Sequence, residues 1–179
     1  MKHVNVALFV PHAGCPHQCS FCNQKTISGS IKPLTPEDVT AACDIAKNGG
    51  VTRETSEIAF FGGSFTAVDR DYMVSLLEAA KPYIDGGYFG GIRISTRPDA
   101  IDDERLEILK KYHVTSIELG AQSMDDSVLK INRRGHTAKD VENASHLIKS
   151  YGFSLGLQMM TGLMGDTDEK CIKTAERLI

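Results

Sequence analysis

Short apolar runs alternate along this chain with longer stretches in which apolar residues recur every three or four positions. The runs are Val4–Val10, Glu57–Phe61, Gly91–Ser95, Ser116–Gly120 and Phe153–Met159. They are short, rich in β-branched and aromatic residues, and bounded by Gly, Asn or charged positions, as buried parallel strands are. The intervening periodicity predicts helices over Pro36–Asn48, Arg70–Tyr83, Asp103–Tyr112 and Ala138–Ser150. A shorter helical piece covers Asp125–Ile131, and a last helix opens near Asp168 and is still running at Ile179. Thr35 before Pro36 is a helix start signal, and Gly49-Gly50 is a stop.

Five βα units in succession predict an α/β fold with a parallel sheet. We expect a partial (β/α) TIM-like barrel, one domain over residues 1–179. The final helix carries no stop signal, so the chain is expected to end before a sixth strand, leaving the barrel core incomplete at its C-terminus. Chemistry in such folds gathers at the C-terminal ends of the strands. The unusual residues fall there: three cysteines after the first strand, Gly62-Gly63-Ser64 after the second and Thr96-Arg97-Pro98 after the third. Ala121-Gln122-Ser123 follows the fourth and Thr161-Gly162-Leu163 the fifth. Their shared location argues for a single site.

Charge narrows the function classes a little. A formal net charge of −3 over 179 residues provides no general attraction to nucleic acid, though a local basic patch is compatible with it. No stretch is long and apolar enough to span a membrane. The N-terminal run is interrupted by Pro11 and His12 and lacks a small-residue cleavage site, so it reads as a strand and not a signal peptide. A cytoplasmic protein is expected. Five cysteines, three of them within eight residues, make a poor disulfide framework and a good metal site.

That site reads Gly14-Cys15-Pro16-His17-Gln18-Cys19-Ser20-Phe21-Cys22-Asn23, a CxxxCxxC spacing. Three thiolates on one short loop converge on a cubic cluster and leave its fourth iron open to another ligand. Structural zinc is the competing reading, with His12 or His17 as a fourth ligand, but the second CxxC or HxxxH arm typical of zinc sites is missing. Cys43 and Cys171 lie on helices and read as small core residues.

CxxxCxxC with an aromatic residue before its third cysteine, following the first strand of an α/β chain, resembles the signature of the radical S-adenosylmethionine (SAM) superfamily. Six segments, VPHAGCPHQCSFCNQ, FFGGSFT, IRISTRPD, IELGAQS, RRGHT and MMTGLMGDT, are similar to the branch containing the Elongator catalytic subunit and oxygen-independent coproporphyrinogen oxidase. The likeness covers essentially the whole chain. Two features depart from the Elongator enzyme: its first two cysteines are more widely spaced, and its acetyltransferase region has no counterpart in these residues.

The resemblance implies an enzyme in which Cys15, Cys19 and Cys22 hold a [4Fe–4S] cluster whose open iron binds SAM. One electron from flavodoxin or ferredoxin then cleaves SAM to methionine and a 5′-deoxyadenosyl radical, which abstracts hydrogen from a substrate. The cofactor-binding residues it implies are Phe21, Gly62, Gly63, Ser64, Thr66, Ser95, Gln122, Arg134 and Gln158. Ser64 stands where many members carry Glu. Arg134 falls on the SAM carboxylate, a role that suits a planar, permanently charged fork, with Arg133 as the neighbour that a slip of one residue would substitute. Glu118, inside the fourth strand, needs a partner: an arginine or the cofactor. The implied substrate is RNA or a porphyrin. A metal-stabilised binding protein without catalysis is the remaining class, supported by the Glu-to-Ser change at Ser64.

Overall fold

The five apolar runs form five strands in a computed structural model that describes residues 3–10, 18–22 and 32–179. They are β1 (Val4–Val10), β2 (Ser56–Gly62), β3 (Ile92–Thr96), β4 (Val114–Gln122) and β5 (Ser154–Met159). All pair in parallel in the order β1-β2-β3-β4-β5, and the sheet is not closed. The helices are α1 (Pro36–Asn48), α2 (Arg70–Asp85), α3 (Asp103–Lys111), α4 (Asp126–Ile131), α5 (Ala138–Ser150) and α6 (Asp168–Leu178). Among the described residues no helix is long and apolar enough to cross a membrane.

Alternation along each strand separates two faces of the sheet. Ile58, Phe60, Ile92, Ile94, Ile117 and Leu119 are fully buried and join Leu76, Leu77, Leu106, Leu109 and Ile148 from the helices in one core. The other face carries Glu57, Arg93, Ser95, Glu118 and Gln158, half-buried or exposed. There Arg93 bridges Glu57 at 2.8 Å and Glu118 at 3.1 Å. The partner that Glu118 needed is therefore an arginine.

Local signals explain most element boundaries. Thr35 and Asp38 form a reciprocal capping box at α1, and Thr137 and Asp140 form another at α5. Most boundaries shift by a residue or two from the sequence expectation, and two of the shifts have a visible local cause. Helix α2 runs through Pro82 to Asp85 and ends on Gly86-Gly87, with Gly87 in the left-handed region at φ 73°. Strand β4 continues past Gly120 to Gln122, where a register shift accompanies a positive φ of 67° at Gln122. A polar Gln reads as loop in a hydrophobicity pattern, yet this one is buried and closes the strand.

Two single 3₁₀ turns, Phe65–Ala67 and Pro98–Ala100, are too short to impose a period on the sequence. The first is anchored by Phe65, whose ring stacks on Phe60 with centroids 4.8 Å apart.

Candidate functional site

Gly62 ends β2 with φ 112°, and a Cβ there would lie 2.6 Å from the Val10 carbonyl and 2.7 Å from the Phe9 ring. Only glycine allows this approach. The next N–H, of Gly63, donates to the Val10 oxygen at 3.0 Å. The glycine pair thus joins the end of β2 to the end of β1, where the cysteine segment begins.

Ser64 and Thr66 turn their hydroxyls into the protein. Ser64 Oγ lies 2.8 Å from Thr96 Oγ1 and accepts the Arg97 N–H at 3.3 Å. Thr66 Oγ1 lies 2.5 Å from Thr96 Oγ1 and donates to the Ala100 carbonyl. These buried hydroxyls lock the loop after β2 to the end of β3. Thr96 at the centre of this network carried no signal in the sequence beyond its place at a strand end. Arg97, which follows the end of β3, is 2% exposed and holds Asp99 and the Arg134 carbonyl. Ser95 faces the polar side of the sheet and donates to Glu118 at 3.3 Å.

Two of the three motif cysteines are described; Cys15, with His12 and His17, lies outside the described residues. Cys19 is 5% exposed and Cys22 half-buried, and the Cys22 N–H closes a turn onto the Cys19 carbonyl at 3.1 Å. Arg134 reaches this turn from the loop after α4. Its Nη1 donates to Cys19 Sγ at 3.3 Å and its Nη2 to the Gly120 carbonyl at 2.7 Å. The guanidinium carbon stands 5.9 Å from the Phe21 ring centroid. Arg133 is exposed and has φ 55°. The backbone turn at Arg133 therefore sends Arg134, and not its neighbour, to the cysteines.

Gly120 makes room for this arrangement. A Cβ there would meet Gln122 Nε2 at 3.0 Å and Arg134 Nη2 at 3.4 Å. Gln158, on the exposed face of β5, pairs in register with Gly120. Gln122, Arg134, Gly120 and Gln158 therefore meet at the C-terminal ends of β4 and β5.

Four buried side-chain polar atoms lack a partner among the described residues, and three of them lie here: Gln122 Oε1, Arg134 Nε and His136 Nδ1. Such an atom costs about 1–3 kcal/mol unless something binds it. Arg134 is also a buried cation with no carboxylate in ion-pair range among the described residues, a costly state without an anion. The site therefore fits a ligand that brings an anionic group to Arg134 and a donor to Gln122. The Cys19 sulfur lies against the same cation.

His136 is 4% exposed, with Nε2 3.1 Å from the Ala121 carbonyl. Burial first, and then Arg134, push its pKa down to about 4 from an ordinary 6.5. The unfolded chain binds the extra proton more readily, so this stabilisation is fully present above pH 6.5 and is lost as pH falls toward 4, by about 3 kcal/mol in all. Denaturant midpoints between pH 7.5 and 4.5 are expected to fall more steeply for the wild type than for His136→Gln. Equal slopes would refute this reading of the imidazole.

One residue of the site carries no sequence signal that spacing or composition reveals. Asn132, 1% exposed, bonds Ser20 on the cysteine turn and the Met164 carbonyl on the loop after β5.

Comparison with known proteins adds a family, two relatives and a solved structure. The family described as the Radical SAM superfamily matches residues 9–178. A tRNA uridine(34) acetyltransferase of Dehalococcoides mccartyi is 25% identical over 198 residues, covering 92% of this chain and 43% of that protein. The heme chaperone HemW of Bacillus subtilis is 27% identical over 165 residues, covering 86% and 41%. Among solved structures, the Elp3 protein of the archaeon Methanocaldococcus infernus, with an N-terminal deletion, superposes with a TM-score of 0.71 at 20% identity, over 99% of this chain and 42% of that one. The chain spans less than half the length of each of these proteins.

Proposed function

The chain belongs to the radical SAM superfamily, and from that premise we propose that Cys15, Cys19 and Cys22 hold the family's [4Fe–4S] cluster and that the ends of β2 to β5 hold SAM beside it. When bound, the reduced cluster supplies the electron that cleaves SAM to methionine and a 5′-deoxyadenosyl radical, and the radical abstracts hydrogen from substrate. The observation that carries this reading is the contact between Arg134 and Cys19. Among the described residues, a buried cation with no carboxylate partner stands against a motif thiol, beside two other buried polar atoms without partners.

The chain's own residues then have distinct tasks. Cys19 and Cys22 present thiolates from one turn. Arg134 offers its unpartnered N–H edge to the SAM carboxylate while keeping Cys19. The backbone of Gly62, Gly63 and Ser64 receives the amino group, with Thr66 fixing that loop, and Phe21 packs against the bound cofactor. Gln122, Ser95 and Gln158 supply polar groups to the ribose and base. An external one-electron donor, a flavodoxin or ferredoxin, completes the reaction.

For substrate we favour RNA. The acetyltransferase relative acts on a tRNA uridine by its name, and a cleft of about 420 Å³ beside His136 carries Lys130 and Arg133, which suit phosphate contacts. A porphyrin is the second reading, favoured by the heme chaperone among the relatives.

Anaerobic reconstitution of the chain tests the chemistry. We expect about four irons and four sulfides per chain, and release of 5′-deoxyadenosine with dithionite and SAM. Stoichiometric zinc without SAM cleavage would overturn the proposal. Binding of tRNA against heme to the reconstituted chain separates the two substrate readings.

A further inference from the structure

Asn132 stands at the end of α4, where its N–H donates to the Val128 carbonyl at 3.1 Å. All of its polar atoms are engaged. Nδ2 donates to the carbonyls of Val128 at 2.8 Å and Met164 at 2.9 Å. Oδ1 accepts the Ser20 hydroxyl at 2.7 Å, and the main-chain oxygen accepts the Ser20 N–H at 3.1 Å. One buried amide thus ties together the turn that carries Cys19 and Cys22 and the loop that follows β5.

We propose that Asn132 is a positioning residue that sets the cysteine turn and the loop after β5 in register, so that the cluster and SAM are held in one geometry. This rests on the function proposed above. Other hydrogen bonds of the loop after β5, from Met160 N–H to the Gln122 carbonyl and from Cys171 to Asp166, run to β4 and α6 and not to the cysteine turn. The loop contains Gly162 and Gly165, both in the left-handed region at φ 73° and 77°, and its Met164 side chain is 64% exposed. Leu163 is buried, and Lys170 Nζ reaches the Gly165 carbonyl from the surface. The cysteine turn is gripped from the same short segment at two points: Ser20 by Asn132, and Cys19 by Arg134 two residues later.

The side-chain type follows from the contacts. The position requires one acceptor and two N–H donors at the end of a two-carbon stem. Aspartate accepts from Ser20 but places a charge against the two carbonyls, and alanine removes the side-chain partner of the Ser20 hydroxyl and the Met164 carbonyl while Val128 keeps the main-chain N–H.

The test uses the whole chain with Asn132→Ala, Asn132→Asp and Ser20→Ala. Thr35→Ala serves as control: it removes the α1 N-cap and weakens the fold away from the site. One readout is the SAM-induced change in the EPR spectrum of the reduced, reconstituted cluster, titrated with SAM. The other, on cluster-free protein, is the iodoacetamide alkylation rate of Cys19 relative to buried Cys43, read by mass spectrometry. Both Asn132 variants are expected to weaken the SAM titration about tenfold and to speed Cys19 alkylation about tenfold, and Ser20→Ala to speed alkylation about threefold, as loss of one or two buried hydrogen bonds does. Thr35→Ala is expected to match the wild type in both. Asn132 variants that behave as Thr35→Ala does would overturn the proposal. If they fail to fold, Ser20→Ala decides, and a wild-type alkylation rate overturns it. A wild type that takes up no cluster sinks the function reading instead, while the alkylation arm still tests the tie.

Discussion

Cys19→Ala is expected to leave the reconstituted chain without its iron–sulfur cluster and without SAM cleavage. Two thiolates from this loop cannot replace three. Among the described residues, no group of three or more His, Cys, Asp or Glu gathers as a metal site. The remaining cysteines are held as thiols. Cys43 is fully buried, and burial pushes its thiol up to about 12. Cys171 donates to Asp166 Oδ2 at 2.9 Å, and that bond raises its pKa. A thiol kept protonated is a poor metal ligand. Cys43→Ala is the matched control. It removes a small core group at a cost of about 1 kcal/mol and is expected to keep the full cluster. Iron and acid-labile sulfide analysis of the two variants, made side by side under anaerobic conditions, gives the answer. A Cys19→Ala chain with wild-type iron content would remove the basis of the functional reading.

The second large effect is expected at Arg134. Arg134→Gln removes the only cation in contact with Cys19 among the described residues. It also strips the Gly120 carbonyl of a charged donor. Hydrogen bonds to charged groups contribute about 1.5–3 kcal/mol each, and each 1.4 kcal/mol is about tenfold in affinity, so SAM binding should weaken by about 10- to 100-fold. Arg134→Lys is not a conservative rescue, because a point charge with one nitrogen cannot meet Cys19, Gly120 and a carboxylate together. The comparison that isolates the site is Arg133→Gln. Arg133 is exposed, and its loss should change SAM binding less than twofold. SAM titrations of the two glutamine variants settle the matter: equal affinities would mean that Arg134 does not hold the cofactor.

Much of this was legible in the residue pattern. Every strand expected from an apolar run exists, within two residues at each end, because burial between a sheet face and helices demands those runs. The helix starts at Pro36 and Ala138 follow from capping boxes that lie within four residues of chain. Gly62-Gly63 is visible in the sequence as a strand-end feature, but that its backbone closes onto the end of β1 at Val10 and Phe9 is not. The extension of β4 to Gln122 was hidden because a polar residue there is buried by its neighbours in space.

By itself the sequence determined the alternation of strands and helices, the parallel order of the units and the three-cysteine loop. Each depends on residues a few positions apart, where periodicity, capping and ligand spacing act directly. Only the tertiary structure decided which arginine meets the cysteines, what pairs with Glu118 and what Asn132 holds. Those answers rest on contacts between residues 115, 25 and 112 positions apart. Local spacing carries no information about such pairs until the sheet brings the strand ends together.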